Sequence, residues 1–416
     1  MEKVAAIIEL LEAGKQAEAN ARIEELIKFG SNEERFLLTE ELMQLGFLEE
    51  AKKLMYVLLE YYPGEGELLV MLAEIYIELG QEDEAILTLE QVDASEEAFG
   101  QALLLLADLY QMQGLFEVSE QKLFEAKNAL PDEKIIDFAL AELLADQGKV
   151  LDAKEYYLSV LEETDVIAGT NINQRLAELL SVSGEFEEAL KYYELALDDQ
   201  LEINTLFGYG FTALQAGYNN LAIEQLEALK EIDAEYHSLY IYLARAYERE
   251  LNLEKCLETI KDGIKQDEFN KELYFYGGKI AMQLKREEAE KLLREAIALD
   301  PEYLEAISLL NKLLINQEDY EGVIELLEVV GDYAEEDPQL VWDIAISYKE
   351  TENYSLALNK YEHAYNFFKD DVKFLEEYGY FLLEEGLRDK AKEIFKQLLE
   401  NEPTSLEYQE MYERLT

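Results

Sequence analysis

The chain has 416 residues, with 92 acidic and 36 basic side chains, and its formal net charge at pH 7 is −56. Such a charge repels nucleic-acid phosphates and anionic membranes, so it argues against nucleic-acid binding and membrane insertion and favours protein partners that carry a basic segment. An alternative source of the charge is glutamate used simply as a soluble helix former on the surface.

The numbers of cysteines and prolines indicate the cellular compartment and the fold class of the protein. The single cysteine, Cys256, allows no intramolecular disulfide, and the longest apolar runs, such as residues 102–107, are much shorter than a membrane-spanning helix. We therefore expect a cytoplasmic protein. Hydrophobic residues make up 49% of the chain and only 5 residues are proline, which indicates an all-α fold.

Twelve copies of a two-helix unit follow one another along the chain. They begin near residues 1, 32, 66, 100, 134, 170, 203, 237, 270, 304, 338 and 372. The unit is clearest at residues 100–131, where apolar residues recur every three or four places, Gly114 interrupts the pattern, and a second apolar face ends at Pro131. We call the two helices of a unit helix A and helix B. A repeat of this length predicts a solenoid, in which each unit packs on its neighbours.

Small residues occupy one place in helix A and one place early in helix B. Small side chains let two helix backbones approach closely. Helix A carries Ala73, Ala107, Ala141, Ala177, Gly210, Ala244, Gly277, Ala345 and Gly379, with Thr39 and Asn311 as departures. Helix B carries Ala19, Ala51, Ala85, Ser119, Ala153, Ala189, Ala222, Cys256, Ala289, Val323, Ala357 and Ala391.

Glycine and proline mark the ends of the predicted helices. The turn between helices A and B contains Gly14, Gly46, Gly80, Gly114, Gly148, Gly184, Gly217 and Gly386. Four units have Leu251, Leu284, Glu318 and Glu352 there instead. Pro63, Pro131, Pro301 and Pro403 share one place between units, and Pro338 also lies at a boundary, as expected for a residue that cannot continue a helix.

These columns resemble the tetratricopeptide repeat (TPR). Its pattern is matched by Leu69, Leu72, Ala73, Tyr76, Gly80 and Ala85, and again by Leu273, Tyr276, Gly277, Ala289, Ala296 and Pro301. The length and acidity also resemble the long acidic cytosolic TPR proteins of Gram-positive bacteria, of the YpiA type. The resemblance implies a right-handed TPR α-solenoid, a superhelix of about twelve helix pairs, with residues 404–416 as a capping helix. It also implies a non-enzymatic scaffold or adaptor for protein–protein interaction.

In TPR families, helix A lines the concave groove, and the residue after the small position usually points into it. We call this residue the ladder position and the place four residues earlier the upstream position. Over residues 1–202, the ladder position holds Glu40, Glu74, Asp108, Glu142 and Glu178, and the upstream position holds Phe36, Val70, Leu104 and Phe138. The resemblance therefore implies an acidic groove that binds a peptide with spaced Lys or Arg and apolar residues between them. The alternative is that these acids only solvate the helices.

Over residues 203–403 the same two positions become aromatic, apolar and basic. They include Phe207, Phe211, Arg245, Tyr274, Lys312, Trp342, Ile346 and Tyr380, with Lys349 nearby and Gly278 at the ninth ladder position. This change of residue types predicts a second section of the groove, and the sequence leaves open whether that section binds an acidic tail. A packed interior position is the alternative for Trp342.

The sequence contains no recognisable catalytic constellation. His237 and His363 lie in different units, and neither has a partner at a spacing typical of metal ligands. We therefore predict no enzyme activity, no cofactor and no metal. A homo-oligomeric structural or assembly factor, using outer faces or solenoid ends, is the alternative function, and the oligomeric state stays open.

Overall fold

The computed structural model describes residues 2–199, 202–331 and 336–416. Within these ranges the chain forms 25 α-helices and one short β-hairpin. The molecule divides into two compact units, Met1–Thr205 and Leu206–Thr416, each of which is described by itself.

The first unit consists of helix pairs with one hairpin. Its elements are α1 (Glu2–Glu12), α2 (Gln16–Phe29), α3 (Asn32–Gln44), α4 (Leu48–Tyr61), α5 (Gly66–Glu78), α6 (Glu82–Leu89), α7 (Phe99–Met112), α8 (Phe116–Ala129), α9 (Lys134–Asp146), α10 (Val150–Leu161), β1 (Val166–Ile167), β2 (Thr170–Asn171), α11 (Ile172–Ser183) and α12 (Phe186–Asp199).

The second unit consists of helix pairs followed by one unpaired helix. Its elements are α13 (Ile203–Gln215), α14 (Asn219–Ile232), α15 (Ser238–Arg249), α16 (Leu253–Gln266), α17 (Lys271–Gln283), α18 (Glu288–Leu299), α19 (Leu304–Asn316), α20 (Tyr320–Val330), α21 (Pro338–Glu350), α22 (Tyr354–Phe368), α23 (Val372–Glu384), α24 (Arg388–Asn401) and α25 (Leu406–Leu415).

The predicted fold is confirmed: both units are TPR α-solenoids. Each of the odd-numbered helices α1 to α23 begins within two residues of a predicted repeat start, and α25 is the predicted capping helix. In the part of the chain that the structure describes, substantial contacts join helices that are one or two places apart along the chain. Stability therefore comes from stacking of neighbouring repeats.

The small residues are buried where each helix A meets its helix B. All twelve predicted helix B residues, from Ala19 to Ala391, are at most 2% exposed. A Cβ added to Gly210 would lie 2.7 Å from Leu226 Cγ, which is too close for any real contact. The helices are therefore packed at a separation that only small residues permit.

The turns confirm the predicted glycines and expose one wrong position. All eight predicted turn glycines have positive φ, from +69° at Gly14 to +86° at Gly184. Where glycine is missing, Leu251, Glu318 and Glu352 nevertheless adopt the left-handed conformation. In the ninth repeat, however, the left-handed residue is Lys285 (φ +54°) and not Leu284.

The ninth repeat is shifted by one residue because its turn is one residue shorter. The amide of Ala289 bonds to the carbonyl three residues earlier, in Arg286, whereas the amide of Ala222 bonds four residues earlier, to Tyr218. Gly278, not Gly277, is therefore the small helix A residue: its added Cβ would meet Leu293 Cγ at 2.6 Å, as that of Gly210 meets Leu226.

A β-hairpin between the fifth and sixth repeats departs from the all-α prediction. Val166 pairs with Asn171 and Ile167 with Thr170 in antiparallel register. Ala168 (φ +49°) and Gly169 (φ +78°) form its two-residue turn, and positive φ at both places is typical of a tight hairpin. The strands are so short that no alternating pattern announces them in the sequence.

Tyrosines in helix A are linked to the preceding helix B at a constant spacing. In three repeats the hydroxyl donates to a glutamate 20 residues back along the chain, in or at the end of the helix B that directly precedes the tyrosine's helix A. The pairs are Tyr110 with Glu90 (3.4 Å), Tyr247 with Glu227 (2.7 Å) and Tyr348 with Glu328 (3.1 Å). The tyrosine column thus supplies polar links between repeats as well as apolar packing.

Candidate protein-binding concavities

A concavity of about 800 Å³ lies on the helix A surface of the fourth and fifth repeats, in the first unit. We call it the acidic concavity. Its lining includes the ladder and upstream residues of both repeats, which are Leu104, Asp108, Phe138 and Glu142. The hairpin turn also reaches it, through Ala168. The structure therefore brings together four of the nine residues predicted for the N-terminal groove.

Asp108 is a carboxylate without a partner in the described residues, at a site whose lining is largely apolar but also includes Gln111, Glu142 and Asp146. Its side chain reaches solvent, and within the described part of the chain it makes no hydrogen bond or ion pair. The protein around it displaces water, and this desolvation raises the pKa of Asp108. The nearby Ala139 and Phe138 offer no polar group. Asp108 is thus positioned to gain from an incoming cation.

Arg175 forms ion pairs with the two ladder acids that follow Asp108, which are Glu142 and Glu178. Its Nε and Nη2 donate to the two carboxylate oxygens of Glu142, at 2.9 and 2.5 Å, and its Nη1 donates to Glu178 at 2.8 Å. The hydroxyl of Tyr157 also donates to Glu142. These two carboxylates already have a cation between them, so the five ladder acids are not equivalent.

The earlier ladder positions lie outside the acidic concavity. Glu40 is exposed and has no ion pair or hydrogen bond in the described residues. Glu74 accepts a hydrogen bond from Gln101 at 3.1 Å, and desolvation raises its pKa despite that bond. Phe36 is half-buried, whereas Val70 is only 3% exposed and belongs to the apolar core. Val70 therefore presents almost no surface to a ligand.

A second concavity, of about 580 Å³, lies on the helix A surface of the eighth and ninth repeats, in the second unit. We call it the basic concavity. Its lining includes Ile241, Arg245, Phe275 and Lys279. Because the register of the ninth repeat was predicted one residue too early, Phe275 and Lys279 take the places that the sequence analysis gave to Tyr274 and Gly278. Tyr274 is half-buried beside them.

The predicted Phe207 and Phe211 belong to an aromatic cluster. Their ring centroids are 6.3 Å apart, and Tyr242 packs edge-on against both, at 5.6 and 5.1 Å. Tyr236 packs on Phe207 at 5.0 Å. The guanidinium of Arg245 lies over the Tyr242 ring at 5.6 Å, which joins this cluster to the basic concavity.

The remaining predicted residues of the C-terminal groove are not gathered in one place. Lys312 is exposed without an ion pair in the described residues, Ile346 is half-buried, and Lys349 pairs with Glu350 at 3.1 Å. Trp342 packs against Phe368 and Phe374, with centroids 5.1 and 5.2 Å away. Tyr380 donates to Glu407 of the capping helix at 2.6 Å, so part of its surface is covered by the chain itself.

Comparisons with known proteins decide the family. The description "YpiA-like, tetratricopeptide repeats" matches residues 111–165, and "YpiA-like, C-terminal tetratricopeptide repeats" matches residues 338–405. A general tetratricopeptide repeat description matches residues 42–109 and 285–343. The chain is 47% identical over 369 residues to the TPR repeat-containing protein YpiA of Bacillus subtilis, which covers 88% of this chain and 87% of that protein. The chain belongs to the YpiA family of TPR proteins.

Solved TPR structures are similar to this YpiA-family chain over parts of its length. YrrB, a TPR protein with an unusual peptide-binding site, is 19% identical, covers 45% of this chain and 96% of its own, and gives a TM-score of 0.40. A TPR protein from Parabacteroides merdae is 16% identical, with coverage of 59% and 97% and a TM-score of 0.42. PilF of Pseudomonas aeruginosa is 19% identical, with coverage of 50% and 94% and a TM-score of 0.39.

Two of the side chains that matter most in this YpiA-family chain were missed from the sequence. Arg175 lies two residues before the small residue Ala177, outside the two columns that were read. Tyr242 lies two residues before Ala244, at the same place in its repeat. Each contacts the ladder residue of the preceding repeat, Glu142 or Phe211. Reading this third column alongside the ladder would have found both.

The chain is therefore built from TPR repeats, and TPR proteins are generally protein-interaction scaffolds. In the described residues, no helix is long and apolar enough to cross a membrane. The same residues include no group of three or more His, Cys, Asp or Glu side chains arranged to hold a metal ion.

Proposed function

We propose that this protein is a cytoplasmic, non-enzymatic scaffold that binds a basic, partly apolar segment of a partner protein in the acidic concavity. The observation that carries the proposal is Asp108, a carboxylate beside Leu104 and Phe138 that has no ion pair or hydrogen bond within the described ranges. A Lys or Arg of the partner would pair with Asp108, and a neighbouring large apolar side chain would lie against Leu104 and Phe138.

Desolvation supports Asp108 as the anchor. Its raised pKa means that the ionised carboxylate lacks the stabilisation it would have in water. A bound ammonium or guanidinium group restores that stabilisation, and the pair forms where the apolar surroundings exclude part of the solvent. Glu142 gains less from such a ligand because Arg175 and Tyr157 already occupy both of its oxygens.

The charge of the whole chain supports the same class of partner. A net charge of −56 attracts a basic segment over long range and raises its rate of encounter, most strongly at low salt. The specificity would come from the short-range contacts at Asp108, since the long-range field treats all cations alike.

Selection from a library of random dodecapeptides displayed on phage tests this function. We expect the wild-type protein to enrich peptides in which Lys or Arg stands next to Leu, Ile or Phe. The Asp108→Asn variant should lose that enrichment. Glu117→Gln is the matched control, because Glu117 is an exposed acid of α8 that does not line the concavity and has no ion pair among the residues that the structure describes. Each variant removes one negative charge.

Three results would contradict the proposal. They are a failure to enrich any sequence, a consensus without a cation, and equal losses in Asp108→Asn and Glu117→Gln. The last result would mean that only the total charge attracts the peptides. Light scattering on the same samples separates peptide binding from self-association, which is the competing function.

A further inference from the structure

The acidic and basic concavities are the same structural site in different repeats. Each is lined by the ladder and upstream residues of two successive repeats. The upstream residues are apolar in both cases: Leu104 and Phe138 in one, Ile241 and Phe275 in the other. The ladder residues have opposite charge. Asp108 and Glu142 are replaced by Arg245 and Lys279, so the apolar floor is kept while the charge above it is reversed.

The charged groups of the basic concavity leave cations available to a ligand. Its lining contains Arg245, Arg249 and Lys279 together with Glu248 and Glu272. Glu248 accepts a hydrogen bond from Tyr276 at 2.6 Å and forms an ion pair with Lys279 at 3.2 Å. Lys279 is therefore partly neutralised, and Arg245 and Arg249 are the less engaged cations. Arg249 donates to a backbone carbonyl, which leaves its charge unneutralised.

Arg245 is the most available of these cations. It is exposed, and in the described part of the chain its only recorded partner is the face of Tyr242. Lys312 holds the ladder position of the following repeat and is exposed without an ion pair there. In a chain with 92 acids and 36 bases, three successive cationic ladder residues are a marked local departure.

The net negative charge of the chain does not cancel this local surface. At physiological ionic strength the Debye length is about 8 Å, so remote acids are screened and the groups that line the site dominate short-range binding. The apolar floor adds a second requirement. Phe275 and Tyr303 pack together at 5.1 Å and offer an aromatic surface beside the cations.

We propose that the basic concavity is a second peptide-binding site, which takes an internal acidic segment of a partner protein with an aromatic side chain among its acids. Carboxylates of the segment pair with Arg245 and Lys279, and the aromatic ring lies on Ile241, Phe275 and Tyr303. The chain thereby carries two sites of opposite charge preference, one in each compact unit. This site stands independently of the proposed function of the acidic concavity.

Fluorescence anisotropy with labelled dodecapeptides in 0.15 M salt tests the proposal. The acidic probe has glutamates interrupted by phenylalanine, with both ends blocked by acetylation and amidation. In two further probes the glutamates are replaced by glutamine or by lysine. We expect the acidic probe to bind at least about tenfold more tightly than the glutamine probe.

Variants separate this site from the rest of the protein. The double variant R245Q/K279Q should weaken the acidic probe about tenfold or more, whereas Lys291→Gln should not, because Lys291 is an exposed cation of α18 outside the site, without an ion pair in the described part of the chain. Asp108→Asn should leave the acidic probe unchanged and weaken only the lysine probe. Helicity and the emission of Trp342 report whether each variant is folded.

Several outcomes would overturn the proposal. The acidic and glutamine probes could bind equally, the double variant could behave like Lys291→Gln, or binding could appear only when the peptide has a free C-terminal carboxylate. The last result would indicate a terminal-carboxylate site instead of one for an internal segment. Failure of the lysine probe at Asp108 would contradict only the function proposed for the acidic concavity.

Discussion

Arg175 shows how a single residue outside the predicted columns changes the meaning of the acidic ladder. It bridges Glu142 of one repeat and Glu178 of its own repeat. The Glu142 carboxylate is held by two donors of the same guanidinium, which is the strong geometry for such pairs. Half-exposed pairs of this kind both stabilise the stack and reduce the negative charge offered to a ligand.

Replacing Arg175 by glutamine should therefore have two opposite effects. The stability of the first unit should fall by about 1 kcal/mol, because the ion pairs are lost at a partly exposed site. Binding of the lysine probe should become tighter, because two more ladder carboxylates lose their internal cation. Thermal unfolding and anisotropy measure the two effects separately.

Arg22→Gln provides the control for Arg175→Gln, since Arg22 is exposed and unpaired in the described residues. It changes the net charge by the same amount without freeing any ladder acid. If both variants tighten binding equally, total charge explains the effect and Arg175 has no special role at the groove.

The predictability of the site also differs from residue to residue. Asp108 and Arg245 followed from position alone, because each stands directly after a small residue whose burial fixes the helix orientation. The partners of Glu142 did not, because Tyr157 comes from helix B of the same repeat and Arg175 from the next repeat, and both contacts depend on how the helices pack. Tyr380 shows the same difficulty: its column points to a groove, but its hydroxyl is bound by the capping helix.

Turns are the elements in which this chain departs most from ideal repeats. Leu251, Glu318 and Glu352 adopt φ of +59°, +58° and +62°, the region in which a side chain meets its own backbone. The neighbouring helix pairs hold these residues in place. Leu251 is 84% exposed, so its side chain contributes little packing in return.

Glycine at these turns should therefore stabilise the second unit. We expect Leu251→Gly to raise stability by about 1 kcal/mol, since the left-handed strain is removed and little buried surface is lost. Glu318→Gly and Glu352→Gly should act in the same direction and add nearly independently, because the turns are far apart. Urea denaturation followed by circular dichroism measures each change.

Leu195→Gly is the contrasting change, because Leu195 is an exposed residue inside α12 and glycine there should cost about 1 kcal/mol. If Leu251→Gly also lowers stability, the left-handed turn is not strained in the way its φ indicates.

Elements themselves were well predicted, and the exceptions have local causes. The helix starts could be predicted from the columns of small residues and from the prolines, because every repeat packs its two helices in the same way. In the ninth repeat the small helix A residue was predicted one place too early. Its turn is one residue shorter, and two adjacent glycines, Gly277 and Gly278, both fit the pattern of a small residue. The hairpin at residues 166–171 was not predicted, because strands of two residues are too short to show an alternating pattern.

At the scale of the whole molecule, partly desolvated acids make stability depend on pH. Desolvation raises the pKa of Glu74, Asp108 and Asp343 above their ordinary values. Their folded forms bind protons at a higher pH than the unfolded chain does, so stability should rise as the pH falls from neutrality towards the ordinary range of these carboxyl groups. The opposite case is Asp300, whose pKa is lowered by Lys271, and its contribution is lost only below its ordinary range.

Melting curves at pH 7.5 and 5.5 in 1 M salt measure this slope, since a Debye length of about 3 Å suppresses the general repulsion of the acidic surface. The triple variant E74Q/D108N/D343N should flatten the slope. A wild-type protein that becomes less stable at pH 5.5 would show that paired acids, and not desolvated ones, dominate.

Nearest-neighbour stacking predicts that damage in one repeat stays local. Ala107 is 1% exposed between α7 and α8, so Ala107→Glu buries a charge and should cost more than about 3 kcal/mol. Trp342 is the only tryptophan of the chain and reports on the second unit through its contacts with Phe368 and Phe374. We expect Ala107→Glu to lower the helicity of the first unit while the midpoint of the Trp342 transition moves much less.

Met112→Glu, which adds the same charge at an exposed site of α7, should change neither signal. In Ala107→Glu, helicity and Trp342 emission could instead be lost together in one transition at a lower temperature. That result would mean that the solenoid unfolds as a single cooperative body, and it would contradict the prediction that damage stays local.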